Sequence, residues 1–274
     1  MIVQLRFKKG SRILVFGLMF LAISSCKDAK KTEKSIEEIS EEMVEKVLEI
    51  EVPDWAYPGS ETHEQVPPPL GFHRVTRTDN TSIGIFEGQS DVGGALVDGS
   101  SSYDEETNQY TISSAGYNIW YSRDEFRFLW KKMSGDISLA TDIDFPIEEG
   151  YLDRKTVLIV RQNLDDDSKE VMVALHGGGL MHLAYRTEKE KNLEQVQVTE
   201  TGALRLGFEK KGDAFAIYAS MNGEPMKKLT DETVDLHFEE PFYVGIGFTS
   251  HEPIISDTTI LSNVVLENEA GKVQ

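Results

Sequence analysis

Two pairs of carboxylates come first among the residues of this 274-residue chain that could do chemistry: Asp142 with Asp144, and Asp124 with Glu125. A glycosidase holds two carboxyl groups about 5 to 5.5 Å apart to retain the anomeric configuration, or about 6.5 to 9.5 Å apart to invert it. On a strand successive side chains point to opposite faces. Asp142 and Asp144 would therefore share a face, with no third acid in phase, while Asp124 and Glu125 would point apart. There is no G-x-S-x-G elbow, no H-E-x-x-H and no cysteine besides Cys26, so serine, zinc-protease and thiol chemistry lack their parts. Asp165-Asp166-Asp167 offers oxygen ligands of the kind calcium takes, and equally has the make-up of a solvated loop; no other cofactor is implied.

Cys26 carries chemistry of another kind. It closes the run ILVFGLMFLAISSC, behind the basic residues Arg6, Lys8, Lys9 and Arg12. A positive head, a short apolar stretch and small residues before the cut are the parts of a secretory signal. Ile23-Ser24-Ser25-Cys26 looks like a bacterial lipobox, in which Cys26 is acylated and becomes the first residue of the mature chain. The apolar run falls short of the roughly 20 residues a membrane-spanning helix needs. A lone cysteine at a processing site forms no internal disulfide, so stability must come from packing. Lys27 behind it resembles lipoproteins sent on to the outer membrane. The expected address is thus the bacterial cell envelope, lipid-anchored and facing the periplasm or the surface.

The formal net charge is −19, and loss of the basic signal segment makes the mature chain more acidic still. Nucleic-acid binding requires a clustered basic face that releases counterions, and is excluded here. The hydrophobic content of 39%, with 13 Phe, 9 Tyr and 3 Trp, suffices for one core in a body of about 200 residues.

Five segments follow. Residues 1–25 are the signal peptide. Residues 26–50 form a tether in which Ile36, Ile39, Met43, Val44, Val47 and Leu48 recur at helical spacing among acids. Ser35 and Glu38 have the form of a capping box there, and Glu42 and Lys46 an i,i+4 pair. This short amphipathic helix is either a solvated spacer or, over residues 32–50, a surface for an envelope protein. Residues 51–80 carry Pro53, Pro58, Pro67, Pro68 and Pro69 and read as a linker. From about residue 81 to 268 the period drops to two: Val171, Val173 and Leu175 alternate with Met172, Ala174 and His176, and Phe242, Val244, Ile246 and Phe248 alternate with Tyr243, Gly245, Gly247 and Thr249. Glycine turns separate these half-buried strands. The body is expected to be all-β, two antiparallel sheets stacked as a jelly roll, with residues 269–274 as a tail.

The segments GIFEGQSDVGG, YDEETNQYTISSAGYNIWYSRDEFRFLWKKMSGD, VLIVRQNLDDDS, ALHGGGLMHLAYRT, FYVGIGFTSHEP and LSNVVLE, in that order, resemble the concanavalin A-like sandwich domain of uncharacterised function found in secreted bacterial proteins, sometimes ahead of TolB-like propellers. The resemblance implies a sheet bent into a concave face. Sugars bind such faces through aromatic rings and planar polar groups. Strand parity puts His176 and His182 there, with Arg186 and Arg161; Trp120 and Trp130 flank Arg123-Asp124-Glu125. These six are the candidate ligand-binding residues. Each has a plainer reading: either tryptophan as core, Trp130 above all because it runs with Phe126 and Phe128; His176 as a strand-end residue bonded to its turn; the two arginines as partners of Asp142 or Asp144. No catalytic residue is assigned. Three functions fit: non-catalytic carbohydrate binding on an envelope lipoprotein, an adaptor lipoprotein holding an envelope protein, and a glycoside hydrolase-like enzyme. The first is preferred, because binding needs only a face and a few rings.

Overall fold

A computed structural model describes residues 67–273. The signal peptide with Cys26, the tether helix and most of the linker lie outside the described residues. Two eight-stranded antiparallel sheets make up the body. In spatial order the first holds β1 (Arg77–Asp79), β2 (Gly88–Val92), β7 (Phe126–Met133), β17 (Phe242–Thr249), β9 (Lys155–Arg161), β10 (Glu170–His176), β11 (Met181–Arg186) and β12 (Glu194–Gln197). The second holds β15 (Lys227–Lys228), β14 (Ala214–Ser220), β13 (Arg205–Lys211), β8 (Ile137–Asp144), β18 (Asp257–Glu267), β4 (Gln109–Ser114) and β3 (Ser100–Asp104), with β16 (Val234–Asp235) also on β14. A separate hairpin joins β5 (Ile119–Trp120) to β6 (Arg123–Asp124). The chain is thus the expected all-β sandwich.

The period-two pattern explains the core. Val171, Val173 and Leu175 of β10, with Val244, Ile246 and Phe248 of β17, share one cluster with Ile137 and Leu139 of β8 and Phe208 of β13. Each such side chain contributes about 1.5–3 kcal/mol on full burial. The alternate residues do not face water, as they do on most antiparallel sheets. Phe126, Phe128, Trp130, Val157, Ile159, Met172, Ala174 and Ala184 form a second buried cluster on the outer face of the first sheet, with Ile119 and Leu193. Every residue of β9 and β10 is buried as a result. Two glycines make room for the rings: a Cβ on Gly247 would stand 2.6 Å from the Phe126 ring, and one on Gly88 would stand 2.4 Å from that of Trp130.

Both ends of the body extend further than the sequence pattern indicates. Within the stretch read as linker, Arg77–Asp79 is already a sheet strand paired with Gln89–Asp91. In the tail, Val273 is buried beside Ala140 and Met226.

Candidate functional site

The outer face of the first sheet ends in two polar rows, separated by the apolar layer. At one end Arg161 of β9, Glu170 of β10 and Arg186 of β11 stand in register. Asp124, delivered by the β5–β6 hairpin, drops between the arginines: its Oδ2 accepts from Nη1 of Arg161 and of Arg186 at 2.8 Å each, and its Oδ1 accepts from Arg186 Nη2 at 2.8 Å. Arg161 Nη1 also donates to Glu170 Oε2. All four side chains are fully buried. Burial raises the Glu170 carboxyl to about 7 against the pull of Arg161, whereas at Asp124 the two arginines outweigh burial and hold the carboxyl below its ordinary range. Two cations and two acids compensate one another, and nothing here opens to a ligand.

At the other end Lys155 of β9 pairs with His176 of β10 and Thr249 of β17, and His182 of β11 pairs with Ala174 of β10. The β10–β11 turn runs through Gly177-Gly178-Gly179, closed with Gly179 at φ 87°, a conformation that costs glycine little. His176 and His182 meet edge to face at 5.1 Å between ring centroids. Trp120, half-buried on β5, stands 5.4 Å from the His182 ring, and Lys155 Nζ lies 5.5 Å from the Trp120 ring centroid. These residues, with Asn118, Asp153, Leu180, Gln195 and His251, line a pocket of about 230 Å³. His251 is stacked between the rings of Tyr151, at 5.0 Å, and Tyr117, at 6.2 Å.

Burial sets the charge state of the pocket. It lowers Lys155 to about 8, against the opposing field of Asp153, so the ammonium persists at neutral pH. Burial, followed by repulsion from Lys155, lowers His176 to about 4 and His182 well below its ordinary value. Both imidazoles are therefore neutral, each with one donor and one acceptor nitrogen. His176 Nδ1 stands 3.4 Å from Asp153 Oδ1, off the hydrogen-bond direction. His182 is 3% exposed, and neither of its ring nitrogens has a hydrogen-bond partner.

Of the six candidates the pocket gathers three, Trp120, His176 and His182. The other three are not on an open face. Trp130 is core: its ring meets Tyr243 edge-on at 5.1 Å and its Nε1 donates to Ser90 Oγ at 2.9 Å. Arg161 and Arg186 are locked in the ionic lattice with Asp124 and Glu170, not with Asp142 or Asp144. Asp142 pairs instead with Arg205 at 2.7 Å on the second sheet. Glu125, the neighbour of Asp124, is buried against Arg74 at 2.7 Å, so no carboxylate pair faces the pocket.

The Asp165–Asp167 run borders a wider cavity of about 560 Å³ beside β1. His73, Asp166 and Asp167 place ligand atoms within 4.8 Å of one another there. Side-chain partners already hold them: Asp166 takes His73 at 2.8 Å and Arg123 at 3.8 Å, and Lys189 reaches Asp165 at 2.7 Å and Asp167 at 3.4 Å. Such a set, with one imidazole and two positive neighbours, suits calcium poorly.

Sequence reasoning missed Lys155, Asp153, Asn118, Gln195 and His251. Lys155 was reachable, because stepping back by twos from Arg161 through Ile159 and Val157 lands a lysine on the same face as His176. Asn118, Asp153 and His251 sit on connections with no period to read.

No family model and no curated protein matches the chain. Solved structures with a similar arrangement include a functionally unknown protein from Saccharomyces cerevisiae, at 14% identity and TM-score 0.46 over 63% of this chain and 93% of that one. A xylan β-1,4-xylosidase from Bacillus halodurans aligns at 10% identity and TM-score 0.47, over 73% of this chain and 40% of that one. An alginate lyase of polysaccharide lyase family 7 aligns at 12% identity and TM-score 0.37, over 61% and 81%.

Proposed function

We propose that this chain binds a carbohydrate, without cleaving it, in the pocket between Trp120, His176 and His182. The observation that carries the reading is the pair of unpartnered nitrogens on the buried His182 ring. A buried polar group left without a partner costs about 1–3 kcal/mol, and a ligand hydroxyl is both donor and acceptor, as this ring requires. The half-buried Trp120 supplies an indole beside it, the amphipathic surface on which sugar C–H groups pack. Asn118 and Gln195 add planar amides at the wall. The volume lies below the roughly 300 Å³ at which sites for drug-sized ligands begin, so the pocket receives one end of a ligand. Asp153 is the only carboxylate among the lining residues, whereas hydrolysis by the usual route takes two; that favours binding over catalysis. The sandwich would be displayed at the cell envelope through a lipid on Cys26, and an unmodified thiol in the exported product, by mass spectrometry, would remove that part of the proposal.

Calorimetric titration of the full chain with a panel of soluble oligosaccharides tests the site. His182→Ala is expected to weaken binding about tenfold or more, the equivalent of 1.4 kcal/mol, and Trp120→Ala by a similar factor. A panel with no binder, or a binder indifferent to both substitutions, would contradict it.

A further inference from the structure

Lys155 is the exception among the buried cations. Every buried arginine among the described residues, Arg161 and Arg186 included, has a carboxylate at ion-pair distance. The buried Lys210 instead donates to the carbonyl oxygens of Gly135 at 3.1 Å and Gly212 at 2.6 Å. Lys155, 2% exposed, has one acceptor, the Ile119 carbonyl oxygen at 3.4 Å, a length at which little of a hydrogen bond remains. An ammonium has three N–H donors and seeks a compensating charge when removed from water.

The neighbouring carboxylates act on it only from beyond ion-pair distance. Asp153 is turned toward His176 at the pocket mouth, with its side chain 46% exposed. Asp124 is held by two arginines, and Glu170 stands at the far end of β10 with Arg161. His176 and His182 are neutral. The Trp120 face, 5.5 Å away, is a partial attraction only. An ammonium without an ion-pair partner therefore lines a pocket in which both ring nitrogens of His182 also lack hydrogen-bond partners.

We propose that the ligand end entering this pocket is anionic, a sugar bearing a carboxylate or a sulfate ester, whose oxygens accept from Lys155 Nζ and from a ring N–H of His182. This rests on the pocket being a sugar site and names the class of sugar. Ligand oxygens would give the ammonium its missing acceptors, and the neutral histidines add donors without adding charge. Selectivity follows from the same geometry, since a neutral sugar would leave the lysine without an ion-pair partner.

The test uses three probes of equal length and linkage on the full chain: a uronic-acid oligosaccharide, its neutral hexose counterpart, and the neutral one carrying a sulfate ester. At least one anionic probe is expected to bind tenfold or more tighter than the neutral probe, and which one identifies the group. Lys155→Met is expected to abolish that preference, and Lys155→Arg to keep part of it. A preference that survives Lys155→Met, or no preference at all, overturns the assignment. If the neutral sugar alone binds and responds to Trp120→Ala, the charge assignment falls and the sugar site stands; if none of the three binds, both fall. Should the Met variant fail to fold, the lysine ¹³Cε resonances of the unaltered chain decide, because the Lys155 signal should move with an anionic probe and not with the neutral one. Equal movement with both contradicts the proposal.

Discussion

His176 and His182 have a thermodynamic consequence that needs no ligand. In the unfolded chain their imidazoles take up protons near 6.5, but in the folded pocket His176 does so only near 4, and His182 also well below its ordinary value. Between those limits the unfolded state binds more protons, so stability is lost as the pH falls from about 6.5 toward 4. For His176 alone the loss is on the order of 3 kcal/mol. Glu170, raised to about 7, contributes with the opposite sign over this range, so the test is the stability difference between the parent and His176→Gln in urea unfolding at pH 4.5, 5.5 and 6.5: it should shift in the variant's favour as the pH falls, and a difference independent of pH would place the titrating groups elsewhere. The two histidines were legible from strand parity. Their isolation was not, because no sequence pattern states how many partners a ring nitrogen finds in space.

The β5–β6 hairpin decides which part of the outer sheet face stays open. Ile119 joins the apolar layer over that face, Asp124 locks one end, and Trp120 forms a wall of the pocket at the other. Removing the Asp124 charge would leave Arg161 and Arg186 buried with Glu170 alone, and breaking a buried ionic set costs about 3–5 kcal/mol. Asp124→Asn is therefore expected to lower the urea midpoint sharply without altering the side chains of the pocket. A variant as stable as the parent would mean that the lattice is not compensated as drawn. The alternation of β10 and β17 showed which residues leave the main core but not that a second apolar layer receives them. Phe126, Phe128 and Trp130 were the available sign, since three large rings at alternate positions of one strand put an apolar row on the face opposite Leu129. The two arginines, expected on the ligand face with a lattice as the alternative, stand in a lattice. Their acids were misplaced, because Asp124 reaches them from a hairpin whose position no local period fixes.

Across the whole body, the layered β architecture was readable from period and turns, because each strand exposes its parity within a few residues. The pocket was half readable. Residues on regular strands followed the alternation, while Asn118, Asp153 and His251, on connections, are placed only by the folded chain. The molecule that results is strongly acidic, with a formal charge of −19, yet the buried Lys155 ammonium, at the open end of its outer sheet face, has one long hydrogen bond and no ion pair among the described residues. Such a surface repels anions at long range, so any anionic ligand must be held by short contacts inside the pocket. A crystal structure of the chain with a uronic-acid oligosaccharide would examine this most directly. A sugar ring against Trp120, with its carboxylate within hydrogen-bond reach of Lys155 Nζ and His182, is the expected result; a sugar bound elsewhere with the Lys155 pocket unfilled would contradict it.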